Sequence, residues 1–140
     1  MTDLITRLSK LDAPDREVDA EIAVLFSGDP DAYVVRPNEG AMFSHKPGWF
    51  ATGDNKSHKS PEYTTSVDAA IALAERVLPG WTFEHIGQDY IRASGLDNDV
   101  MPMGWTVEIS DGSQTIQGQA PTLPLAICIA LLRAKEASKL

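Results

Sequence analysis

The chain has one cysteine, no long apolar run and few basic residues, and each shortage excludes something. Cys128 alone cannot form an internal disulfide, so nothing demands an oxidising compartment. The longest apolar run, LPLAICIALL at 123–132, is too short for the ~18 residues of a membrane span. The opening stretch, MTDLITRLSKLDAPDRE, lacks a signal-peptide core. A cytoplasmic protein without membrane contact is therefore expected. The 12 Lys and Arg are outnumbered by 20 Asp and Glu, for a net charge of −8. Such a balance repels nucleic-acid phosphates and argues against DNA or RNA as a direct ligand, whereas a basic partner would suit it. Motifs of chemistry are also missing. There is no CxxC, no HExxH, no GxSxG elbow and no glycine-rich loop in a strand–loop–helix setting. No catalytic residue, metal or cofactor is expected.

What is present is a well-patterned fold. The length of 140 residues fits a single domain, 1–140, with a real core. Residues 1–28 read as a helical segment. Leu4, Ile5 and Leu8 share one face of a short turn, and a helix over 14–27 follows, with Asp12 as its cap and Val18, Ile22, Leu25 and Phe26 inward. Residues 29–62 are irregular, with short strands at 33–35 and 49–51. Turns at Pro37–Gly40 and Pro47–Gly48 separate them, and a polar loop, TGDNKSHKSPE, follows.

Residues 63–140 read as an α-β-β-β-α core. The helix over 66–78 carries a continuous stripe through Val67, Ala70, Ile71, Ala74, Val77 and Leu78, and Pro79-Gly80 stops it. Thr65 and Asp68 have the spacing of a capping box. Strands are expected at 81–86 and 89–94, joined by a hairpin at Gly87-Gln88, and then at 104–110 and 114–118. Trp81, Phe83 and His85 would share one face, and Trp105, Val107 and Ile109 another. A last helix over 122–137 is apolar nearly all round in its first part. The class is α+β, with an antiparallel sheet of about four strands packed between helices in an α/β/α sandwich-like arrangement. Double-stranded RNA-binding domains share this element order. They contact phosphates through basic residues, and the start of the last helix has none before Arg133.

Candidate chemistry is sparse. His45, His58 and Asp54 lie in the loop-rich region and could serve a small-molecule site or an enzyme of unknown class. Glu84 and Glu108, with Arg92 nearby, could form a carboxylate–arginine site, though a cross-strand surface pattern explains them as well. Cys128 sits among Leu125, Ile127 and Ile129, where burial makes a thiol inert. The most distinctive feature is an acidic block. Residues 12–31 hold seven carboxylates against Arg16 alone. Asp15, Asp19, Glu21, Asp29 and Asp31, with the aromatic Trp49, are the candidate partner-binding residues.

Three segments resemble one family. They are Tyr63-Thr64-x-Ser66-x-Asp68-Ala69-Ala70 followed by Gly80-Trp81, the run from Ala120 through Pro121-Thr122-Leu123-Pro124-Leu125 to Ala134, and the opening Asp15–Ala23. Together they are similar to the phage ABA sandwich domain of small phage and prophage proteins. The resemblance implies a sheet between helical layers and a phage origin, and it carries no catalytic residues. Joined to the charge, it leads to an expected function: a non-enzymatic phage or prophage accessory protein that binds another protein. The concrete form is inhibition of a basic, nucleic-acid-binding host defence complex such as a CRISPR effector. A virion structural or assembly role is the further alternative. Either a monomer or a homodimer fits.

Overall fold

The last helix is the centre of the molecule. In the computed structural model, which describes residues 1–35, 47–92 and 100–138, α4 spans Leu123–Ala137. Every residue from Leu125 to Leu132 is at most 1% exposed. A helix that is apolar on all sides must be covered on all sides, as its sequence implies.

The cover comes from several elements. An antiparallel sheet of β4 (Thr82–Arg92), β5 (Val100–Ser110) and β6 (Thr115–Ala120), in that order, packs on α4 through β5 and β6. Val107 and Ile109 are buried on its helix side. At Gly118 the helix comes so close that an added Cβ would lie 2.5 Å from the Ala130 amide nitrogen. Helices α1 (Thr2–Ser9) and α3 (Val67–Val77) pack against α4 as well. Helix α2 (Arg16–Leu25) buries Val18, Ile22 and Ala23. It touches α1 and a second antiparallel sheet, β1 (Tyr33–Val35), β2 (Trp49–Ala51) and β3 (Ser57–Lys59). One hydrophobic cluster joins residues of all four helices and β5.

The α+β class holds, with four helices and two three-stranded antiparallel sheets among the described residues. Among the described residues the sheet on α4 has three strands, where about four are expected. Its far face carries exposed Thr115, Gln117 and Gln119 rather than a helix. The polar 53–60 loop is in part a strand. Thr52 and Lys56 close a tight turn in which Asn55 adopts φ 64, and β3 returns along β2. The Pro37–Gly40 turn, the 95–99 loop and His45 lie outside the described residues.

Gly87-Gln88 is not a turn either. β4 runs through it, pairing Gly87 with Thr106 and Gln88 with Trp105. A bulge between Phe83 and His85 shifts the alternation, so His85 is exposed opposite Glu108 instead of sharing the inner face with Phe83. Two helix starts move as well. Asp15, not Asp12, caps α2, and Ser66 caps α3 by accepting from the Ala69 amide at 3.1 Å, in place of a Thr65–Asp68 box.

Candidate functional site

The acidic block is mostly architecture. Asp15 caps α2, accepting from the amides of Glu17 at 2.9 Å and Val18 at 3.2 Å. Asp19 has no exposure at all, so it forms no part of a partner-binding surface. One oxygen of its carboxylate accepts from the Thr64 amide and the other from the Arg16 guanidinium, both at 2.7 Å. The Thr64 hydroxyl in turn accepts from the Asp15 amide at 2.9 Å and donates to the Asp15 carbonyl at 3.2 Å. Arg16 also donates to the Ser60 carbonyl at 2.8 Å. The result is a polar clasp that ties α2 to the chain between β3 and α3. Burial pushes the Asp19 pKa up, and the bonds from Thr64 and Arg16 oppose that rise.

Two further acids of the block are also engaged. Glu21 pairs with Arg7 of α1. Asp29 accepts from the Gly53 amide at 2.8 Å and the Asp31 amide at 2.9 Å, which holds its pKa below the usual carboxylate range. Asp31 is exposed, as is Asp12. Trp49 is half-buried in β2, beside a recess shared with Arg16 and Glu62. No partner-facing patch gathers the six candidates into one place.

Other candidates separate in the same way. Glu84 falls in the bulge and accepts from Thr82, while Glu108 accepts from Gln117 at 2.5 Å, so the two carboxylates do not form a pair. Cys128 is fully buried, and its thiol faces the Tyr63 carbonyl at 3.4 Å with its pKa driven up by burial. His58 stacks obliquely on Phe50, and no group of His, Cys, Asp or Glu among the described residues is placed to hold a metal ion.

What stands out instead is an arm. β6 pairs only with Trp105–Ser110, whereas β4 and β5 continue together past its end. Asp89–Arg92 and Val100–Gly104 therefore form a two-stranded ribbon beyond the three-stranded sheet. Among the described residues the two most exposed large apolar side chains lie here, Met103 at 59% and Tyr90 at 57%; Tyr33 of β1, at 53%, lies elsewhere, and Ile86, lower on β4, is 41% exposed. The Tyr90 hydroxyl donates to Gln88 at 2.8 Å, and Thr106 donates to Asp89 at 2.6 Å, on opposite faces of the ribbon. Tyr90, Met103 and Trp105 wall a recess of about 390 Å³ that ends at Pro121. Among the described residues β4 is also an edge strand, and the outer row of an edge strand's backbone groups can pair with a partner.

Placing a turn at Gly87-Gln88 hides this arm in the sequence. The signal against that turn is the alternation Ile86-x-Gln88-x-Tyr90, which runs straight through the glycine. Compared with known proteins, the chain matches no family model, no curated protein and no solved structure.

Proposed function

We propose that this protein is a non-enzymatic binding protein that docks another protein on the β4–β5 arm. The observation that carries the reading is the exposure of Tyr90 and Met103 on one two-stranded ribbon, with Ile86 exposed below it on the same outer strand. Exposed apolar side chains grouped in this way mark interfaces, and tyrosine is a frequent anchor in them. The phage-type resemblance and the net charge of −8 support the narrower version, a basic host defence complex as the partner. In that version the arm supplies contact and the acidic surface supplies attraction at long range.

The test is a quantitative pull-down from bacterial host lysate with three folded proteins. They are the wild type, the double variant Tyr90→Ala/Met103→Ala, and the double variant Asp12→Lys/Asp31→Lys. The arm variant should lose the wild type's partner by about tenfold or more, since anchor truncations cost on the order of 2 kcal/mol. The charge variant should lose less and show a weaker dependence on salt. No specific partner with the wild type, or an undiminished one with the arm variant, overturns the proposal.

A further inference from the structure

A second recess, of about 380 Å³, opens between α2, the β1–β3 sheet and α3. Its wall includes Phe26 at the end of α2, Phe50 of β2, His58 of β3, Tyr63 and Arg76 of α3. The rings of Phe50 and His58 stand 5.4 Å apart at a 34° tilt, giving the recess an aromatic side. Arg76 gives it a cationic side. The guanidinium donates to the Phe26 carbonyl at 3.4 Å, and its charge acts on the Tyr63 phenol against the rise that burial imposes. Arg76 nevertheless remains exposed, and a guanidinium has more donors than these contacts use. None of the residues lining the recess is a carboxylate. Asp54, whose charge acts on His58, is engaged by the Thr52 hydroxyl, the Lys56 amide and the Lys56 ammonium. In a chain of net charge −8, this is a local reversal of sign next to stacked rings.

We infer that this recess binds a small planar ring carrying a carboxylate or a phosphate. The ring lies along the Phe50–His58 side, and the anion meets Arg76 and the Tyr63 hydroxyl. Guanidinium groups bind both anions through parallel N–H bonds. The volume is that of an ordinary small-molecule site, and its lining mixes Ala23, Phe26, Phe50 and Pro61 with polar groups that include a second cation, Lys59. The inference is independent of the arm and of any protein partner.

The experiment is a titration of the full chain followed by backbone amide NMR. The probes are benzoate, adenosine monophosphate, their uncharged counterparts benzamide and adenosine, and inorganic phosphate. Each is taken to about 10 mM, where a millimolar dissociation constant is readable. Benzoate or adenosine monophosphate should shift the amides of Phe50, His58, Tyr63 and Arg76 and saturate. The uncharged counterparts and inorganic phosphate should bind at least about tenfold more weakly, the loss expected for one charge-assisted contact. Which anion wins assigns the site to carboxylates or to phosphates. Arg76→Gln should lose the binding and Arg76→Lys should keep part of it. If Arg76→Gln does not fold, the Lys variant together with His58→Ala carries the same comparison. Saturation by neither anion, equal binding of benzamide or adenosine, or undiminished binding in the folded variants overturns the inference.

Discussion

Asp19 shows what one residue does in this molecule. It is a carboxylate with no exposure, satisfied by the Thr64 amide and the Arg16 guanidinium. Asp19→Ala leaves the Thr64 N–H buried without an acceptor and Arg16 without its counter-ion, at a cost of about 3 kcal/mol in urea unfolding. Asp19→Asn keeps an acceptor for Thr64 and costs less. The pH dependence separates burial from pairing. Burial raises the folded pKa of Asp19 above its ordinary 3.8, so the folded state holds the proton more tightly than the unfolded chain. Asp19 then contributes a slope in which stability falls as pH rises from 3.8 through the raised value. The wild type should lose ground to Asp19→Asn across that window. A wild type that gains ground instead would mean that Arg16 outweighs burial. None of this was legible in the sequence, because an acid in the first turn of a helix reads as a dipole-favouring surface residue. Thr64, 45 residues away, is what buries it, and that contact is tertiary.

At the scale of elements, the close approach of α4 to β6 rests on Gly118. A Cβ there would run into the Ala126 carbonyl and the Ala130 backbone nitrogen, neither of which can rotate away. Gly118→Ala should therefore destabilise by about 3 kcal/mol, at the upper end of overpacking costs. Substituting alanine at exposed Gln117 should change stability by less than about 0.5 kcal/mol. Equal urea midpoints for the two variants would disprove the close packing. The elements themselves were largely readable. The α3 stripe follows from periodicity, with Glu75 and Arg76 turned outward, and the burial of α4 follows from an all-apolar start that leaves no polar side to expose. The hairpin error has one cause. Glycine reads as a turn signal, yet Gly87 is mid-strand, as is Gly118, where the absence of a side chain and not the freedom of the backbone decides.

At the scale of the whole molecule, the two sheets are unequal. β4 and β5 are long and, with β6, share the core with α4. β1, β2 and β3 have three residues each, and among the described residues their main helix contacts are with α2. What fastens this small sheet besides α2 is the clasp. Arg16 holds the Ser60 carbonyl, and Ser60 donates to the Gly48 carbonyl through its hydroxyl at 2.5 Å and its amide at 2.8 Å. Few apolar contacts and one polar tie make a unit that opens below the global unfolding free energy. In native-state hydrogen exchange, the amides of Trp49, Phe50 and Lys59 should exchange through such partial opening, while those of Val107, Ile109 and Leu131 should require global unfolding. Asp19→Asn removes the charge that orients Arg16, so it should speed exchange in β2 and β3 beyond any change in α4. That selectivity is the decisive reading. A uniform rise across both sheets would mean that the clasp supports the whole fold, and no change in β2 would mean that α2 alone carries the small sheet. The same equilibrium bears on the Phe50–His58 recess, whose aromatic side lies on these short strands. A ligand seated there should raise protection of β2 and β3 first.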